Sequence, residues 1–334
     1  MIVLPRLKPI FITATLLGLA LCLAWLQVER PLLVRLADKM DAAANHCQDS
    51  NRIEEAKFLY KGSVFLTRLS PALYQIETAC SLNNLATLER DQEHLKEATG
   101  YLLESLQIFK SRWGNRHPQT ARVMNNLAEV YLYRGMYDES ESYAEGARAI
   151  LADRFGDDSI EVAQPLSTLS DLRRAQGKFV SAKICCEKSL SILERYYGEK
   201  HPLCLNAMGD LTCCYSALGQ PKAAESLARK AHKLSIEMYG KQNPKTAVLL
   251  SNIACCMQKR GDLVGAERLL RESVRLLQSH PSAQGICLSN RVAPRANLAW
   301  LLREQNKKEE AQKLEEEVQT ILSANPQTIL PRSD

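Results

Sequence analysis

The sequence has no strong excess of charge of either sign: 43 Lys and Arg against 38 Asp and Glu leave a formal +5 over 334 residues. Spread over so large a chain, that charge is no focused basic patch, and nucleic acid is excluded as a partner. The motifs of common chemistry are missing too. There is no GxxxxGK or GxGxxG loop to cradle phosphate, no GxSxG elbow, and no HExxH pair. His46, His94, His232 and His280 have no metal-ligand spacing, and the carboxylates are scattered. No cofactor, no metal and no catalytic residue is expected.

Long apolar runs are also scarce, with one exception. Between Lys8 and Glu29 stand twenty uncharged residues, PIFITATLLGLALCLAWLQV. As a helix they would reach about 30 Å, the thickness of a bilayer's hydrocarbon core. Trp25 falls near one end, where an indole prefers the headgroup level. Residues 9–28 are therefore expected to form a single membrane anchor, after a short tail of residues 1–8. Cleavage as a signal peptide after Cys22-Leu23-Ala24 is the alternative, and would export the chain. Leu21 occupies the place before Cys22 where a lipoprotein signal wants a small residue. Arg6 and Lys8 on one side balance Arg30, Arg35 and Lys39 on the other, so the orientation is left open.

Glycine is uncommon, yet it recurs at one interval. Gly135, Gly177, Gly219 and Gly261 stand 42 residues apart, and so do Gly114, Gly156, Gly198 and Gly240. The latter are each preceded by an aromatic: Trp113, Phe155, Tyr197 and Tyr239. Two columns of small residues keep the same step. One runs Ala56, Ala98, Ser140, Ala182, Ala224, Ala266; the other runs Ser63, Ser105, Ala147, Ser189, Ala231, Ser273. Within a unit the apolar spacing is helical, as at Met124, Leu127, Ala128 and Tyr131 before Gly135, and Tyr143, Ala144, Ala147 and Leu151 after it. Each unit reads as two antiparallel helices joined at a glycine, with small residues where the backbones approach. Such a pair cannot bury its apolar face alone, so neighbours must stack.

About seven hairpins are expected within 36–323, at 36–69, 78–113, 120–155, 162–197, 204–239, 246–279 and 291–323. The last is displaced by three residues, Asn252-Ile253-Ala254 mapping onto Asn297-Leu298-Ala299. The charged helix KKEEAQKLEEEVQTIL closes the stack, Asn325-Pro326 stops it, and a tail covers 324–334. His117 and His201 share a column with Ser159 and Asn243, residue types that cap helix N-termini, and Asp158 precedes a Glu as in a capping box.

This pattern resembles the tetratricopeptide repeat. The 42-residue period, the NNLAEVY phrase and the openings His117-Pro118 and His201-Pro202 are similar to the repeats of kinesin light chains. The resemblance implies an all-α, right-handed superhelical solenoid whose first helices line a concave groove for partner peptides. It does not imply a motor protein, since a membrane segment stands where kinesin light chains carry a heptad region.

In the repeat register the groove is lined by Asn83, Thr87 and Arg90, then Arg122, Asn125, Glu129 and Tyr133. Gln164, Ser167, Asp171 and Arg174 follow, then Asn206, Cys213, Ser251, Cys255 and Lys259. Asn and Gln amides suit the main chain of an extended peptide, and Arg122 and Arg174 suit carboxylates. In kinesin light chains such a groove reads peptides that combine acidic residues with tryptophan. Asn83 and Asn125 match that family's asparagine column, whereas Ser167, Gly209 and Ser251 depart from it. The expected function is a non-catalytic, membrane-tethered scaffold for other proteins or for a second copy of itself.

The second reading comes from the eleven cysteines. Cys185, Cys214 and Cys256 fall in apolar columns and read as core. Cys213 and Cys255 share a column with Thr87, Glu129 and Asp171, so two thiols would face the groove on successive helices. A thiol-based redox or metal-binding protein using them is the alternative. Packed helices lie about 8–10 Å apart, too far for a disulfide that wants Cα atoms within about 7 Å.

Overall fold

The protein was analysed as a computed structural model, which describes residues 33–69 except 34, 49 and 51, then 75–279 and 288–323. The expected anchor 9–28, the tails 1–8 and 324–334, Asn325-Pro326 and His280 lie outside these residues. Among the described residues no helix is long and apolar enough to cross a membrane. Every regular element described is an α-helix. The chain divides into two compact units, Met1–Leu85 and Ala86–Asp334.

The first unit holds α1 (35–48), α2 (Ile53–Arg68) and most of α3 (Gln75–Asp91). Polar groups knit it together. Tyr60, fully buried, donates its hydroxyl to Asn45 Oδ1 at 2.5 Å. Ser81 donates to Asp41 Oδ2 at 2.6 Å and lies 3.0 Å from the Ser63 hydroxyl. Burial raises the pKa of the Asp41 carboxyl, and Ser81 and Ser63 oppose that shift.

The second unit is the rest of α3 and eleven further helices. These are α4 (Leu95–Trp113), α5 (Pro118–Tyr133), α6 (Tyr137–Phe155), α7 (Ile160–Ala175), α8 (Phe179–Tyr197) and α9 (Pro202–Ala217). They continue with α10 (Pro221–Tyr239), α11 (Pro244–Lys259), α12 (Leu263–Ser279), α13 (Leu288–Glu304) and α14 (Lys308–Ser323). The period has a simple composition. A 16-residue first helix and a 19-residue second helix alternate from α4 to α10, with a three-residue turn inside each hairpin and a four-residue loop after it. The first helices begin at Pro118, Ile160, Pro202 and Pro244, two residues ahead of the expected starts. Proline takes the N1 place directly after the cap, where its missing N–H costs nothing.

The turns explain one glycine column. At Gly135 the chain takes φ 71°, Met136 N–H bonds Tyr131 O at 2.9 Å, and Gly135 N–H bonds Leu132 O at 3.0 Å. This left-handed closure satisfies the carbonyls that the helix end would orphan. The same pair of bonds recurs at residues 177, 219 and 261, and at Glu93 and Asn306, which hold φ 65° and 63° without being glycine.

The loops explain the capping column. His117 Nδ1 accepts from Gln119 N–H at 3.2 Å, His201 Nδ1 from Leu203 N–H at 3.3 Å, and Asn243 Oδ1 from Lys245 N–H at 2.9 Å. The rings of Trp113 and Tyr197 lie against His117 and His201, with centroids 4.3 and 4.0 Å apart. Ser159 departs from the expectation: it holds the cap position, but its hydroxyl is buried without a partner. Nor does Asp158 take part in a capping box; its side chain pairs with Lys188 at 3.6 Å.

All twelve members of the two small-residue columns are fully buried. At three of the serines the hydroxyl bonds the facing backbone, Ser140 to Ala128 O at 2.8 Å, Ser189 to Ala163 O at 2.9 Å and Ser273 to Ala247 O at 2.7 Å. A larger side chain would hold the helices apart and break that bond. The first helices α5, α7, α9, α11 and α13 each touch the next and form one layer of the unit. Ion pairs join hairpins on the other layer: Glu225 takes Arg229 and, from the next hairpin's turn, Arg260. Glu267 likewise takes Arg271 and Lys307. Cys185, Cys214 and Cys256 are core residues, as their columns imply.

Candidate functional site

The layer of first helices carries nearly all the expected site residues. Arg122 on α5, Gln164 on α7, Asn206 and Cys213 on α9 and Lys259 on α11 are exposed, and so is Tyr133 at the end of α5. Thr87, Arg90, Glu129, Asp171, Arg174 and Cys255 are half-buried on the same layer. Asn83 is half-buried in the first unit. Three residues need correction. Asn125 and Ser251 lie beneath the surface, 1% and 3% exposed, and Ser167 bonds inward to the Ser189 hydroxyl at 2.9 Å. Ser167 thus faces the hairpin's own second helix, while Asn125 and Ser251 bond Glu129 and Cys255 one turn along their own helices, so all three support the wall from beneath.

The wall's charges are largely committed to one another. Glu129 is the centre of one network. It pairs with Arg90 and accepts at Oε1 from Asn125 Nδ2 and Gln164 Nε2, both at 3.1 Å, and from Thr168 Oγ1 at 3.3 Å. α3, α5 and α7 are thereby joined through one carboxylate. Burial works against the Arg90 charge, but Glu129 and Asp91 more than offset it, so its pKa stands above the ordinary value.

The second network joins α7 to α9. Arg174 Nη2 reaches Asp171 Oδ1 at 2.6 Å and Asp210 Oδ1 at 3.1 Å. Two carboxylates share one guanidinium here. Desolvation, with Asp171 adding to it and Arg174 opposing it, pushes the Asp210 carboxyl up to about 7. Its side chain is nevertheless 31% exposed. Water therefore reaches it from one direction while protein surrounds it on the others, as in a recessed surface. Arg174, expected to receive a partner's carboxylate, already holds two. Among the described residues Arg122 has no ion-pair partner, and Lys259 donates only to Ser216 O at 3.1 Å.

Two wall residues escaped the sequence reading. Asp210 belongs to a column running Asn84, Asn126, Thr168, Asp210, Asn252 and Asn297, polar in every unit, which was signal enough to include it. Trp300, 52% exposed, stands 45 residues after Cys255, so the displaced register of the last hairpin places it in the Cys213–Cys255 column. Asn297, one turn before it, donates to Cys255 Sγ at 3.1 Å.

The thiols are poorly suited to the alternative reading. Desolvation by the surrounding wall raises the pKa of Cys213, though part of its side chain reaches the surface, and pushes Cys255 up to about 12. Both redox exchange and metal binding work through the thiolate, which such shifts disfavour. No group of three or more His, Cys, Asp or Glu placed to hold a metal occurs among the described residues.

Paired helices at a fixed period, fully buried small residues where they meet and a left-handed turn between them define a solenoid of repeated helical hairpins. Residues 77–237 carry tetratricopeptide repeats: that family's model matches residues 77–153, 121–185 and 161–237. Solved structures show the same fold. Repeats of a kinesin light chain from Podosopora anserina align at 21% identity, covering 59% of this chain and 92% of that one, with a TM-score of 0.51. BtubC from P. vanneervenii aligns at 16% identity over 72% of this chain and 95% of its own, TM-score 0.53. The apo quorum sensor NprR from B. thuringiensis aligns at 17% identity over 92% and 84%, TM-score 0.66. At these identities the likeness concerns the fold alone. A sequence comparison with curated proteins gives no match.

Proposed function

We propose that the protein is a non-catalytic scaffold that holds extended segments of partner proteins against its layer of first helices and is tethered to a membrane by residues 9–28. The observation that carries this reading is the row of exposed polar side chains at one place on successive helices, Arg122 on α5, Gln164 on α7 and Asn206 on α9, with Lys259 exposed at the end of α11. Such spacing suits a chain lying across the helices. The amides offer a donor and an acceptor together to a peptide main chain. Arg122 and Lys259, wall cations in no ion pair among the described residues, favour a segment bearing carboxylates. Solved structures with this fold include a quorum sensor and a kinesin light chain, which fits recognition as the role. The tether rests on the uncharged run alone.

The test reverses those two charges. Arg122→Glu with Lys259→Glu leaves the core untouched, so the circular dichroism and melting of the chain should be unchanged. Partners crosslinked to the parent chain in its native membrane should be recovered at least about tenfold less well, a loss of about 1.4 kcal/mol in affinity. Equal recovery of the same partners by parent and variant would sink the reading.

A further inference from the structure

The repeats provide an internal control for what an outward helix face looks like. Phe58 on α2 has equivalents, each 42 residues further on, at Gly100, Ser142, Ile184, Ser226 and Arg268. Those of Phe65 are Gln107, Ala149, Ser191, Lys233 and Arg275. Those of Leu69 are Ser111, Asp153, Arg195, Glu237 and Ser279. All fifteen equivalents are exposed, and Ile184 alone among them is a large apolar residue. In the first hairpin the same three outward places are Phe, Phe and Leu, and they are 74%, 64% and 51% exposed.

These three side chains are not required inside their unit. α2 already buries Ala56, Tyr60, Ser63, Val64 and Thr67 on its other side. Their spacing of seven and eleven residues places them within about 40° around the helix, in one stripe. Lys61 and Arg68 flank that stripe on one side. A stripe of two phenylalanines and a leucine beside basic residues is the pattern of a helix lying at a membrane interface.

The chain itself points to the bilayer. Six residues, 29–34, separate the uncharged stretch from α1. At no more than about 3.5 Å for each of the seven steps from residue 28 to residue 35, they keep α1 within roughly 25 Å of where that stretch ends. The hairpin of α1 and α2 is therefore held close to the lipid. We infer that α2 lies with its Phe58–Phe65–Leu69 face in the headgroup–acyl boundary of the membrane that residues 9–28 enter, with Lys61 and Arg68 against anionic headgroups. The inference rests on the tether proposed above. Its consequence is an orientation: the first hairpin is docked on the bilayer, not hung from it on a free linker.

The test uses the full chain reconstituted in vesicles of phosphatidylcholine with a minority of phosphatidylglycerol. Phe65→Trp is made the sole tryptophan by Trp25→Phe, Trp113→Phe and Trp300→Phe. Brominating the phosphatidylcholine should remove more than half of its emission. A Ser191→Trp probe at the equivalent place on α8 should be unaffected. Extraction of the same vesicles at alkaline pH reports the tether separately. If the chain stays with the lipid while the α2 probe is unquenched, the inference falls and the tether stands; if the chain is released, both fall. An unquenched probe whose blue shift grows with protein concentration assigns the face to a second copy. An unquenched, concentration-independent blue shift that vanishes on excising residues 9–28 assigns it to that segment folded back. Either result overturns the proposal.

Discussion

Asp210 shows how one residue can work against the fold that holds it. Its pKa is raised chiefly because the recessed wall desolvates it, with Asp171 adding repulsion that Arg174 only partly offsets. The folded chain therefore binds this proton more tightly than the unfolded chain, whose aspartates titrate near about 4. Between that value and about 7, stability falls as pH rises, opposite in sign to an aspartate held by a salt bridge alone. Asp210→Asn should melt higher than the parent at about pH 8 and converge with it near about pH 4. A constant difference across that range would show that the carboxyl is not desolvated in the fold. The residue was within reach of the sequence, since its column is polar in all six units. A repeat register identifies which residues share a face without showing which of them ionise against each other. The converse holds for Asn125 and Ser251. Their polarity suggested an outward face, but each is buried and bonded to a partner one turn along its own helix, Asn125 to Glu129 and Ser251 to Cys255. For Ser159, side-chain type suggested a capping bond that the geometry does not make.

At the scale of helices and turns, the sequence was informative because the same geometric problem is solved repeatedly. A turn of three residues between antiparallel helices needs one residue in the left-handed region, and glycine meets that need in four successive hairpins. The first and last turns of the second unit meet it with Glu93 and Asn306. Asparagine tolerates the conformation, whereas glutamate pays for its Cβ. Glu93→Gly should therefore stabilise the chain by about 0.5–1 kcal/mol, visible as a raised urea midpoint with an unchanged slope. The gain is specific to the turn: Glu97→Gly in the first turn of the neighbouring helix should lower the midpoint, because there glycine costs helix propensity. A common fall for both variants would mean that Glu93 is held at φ 65° by contacts worth more than its strain. Helix starts were legible only to within two residues, because proline and the capping residue share the boundary and periodicity does not separate them.

The second unit, taken whole, is a chain of neighbours. α13 packs on α11, α12 and α14, and its packing does not extend to α5, α6, α7 or α8. Stability in such an array is a sum of hairpin terms and interface terms, so a defect should spread only as far as its interfaces carry it. Leu301, fully buried in α13, provides the test. Leu301→Ala removes buried methyl groups and leaves a cavity, a loss of about 2–5 kcal/mol. Hydrogen exchange should accelerate in α13 and α14, and to a smaller degree in α11 and α12, while α5 to α8 keep the protection of the parent. The polar helix α14, whose one fully buried apolar residue is Ala311, should open first because among the described residues it packs chiefly on α13. Uniform acceleration from α5 to α14 would contradict this account. It would show that the hairpins melt as one cooperative body, and a partner bound across Arg122 and Asn206 would then sense a change made at the far end of the stack. Confined acceleration leaves that wall intact while the last hairpin opens, which makes Trp300 and Asn297, and not Arg122 or Gln164, the part of the surface whose contact with a partner is exchanged for local unfolding.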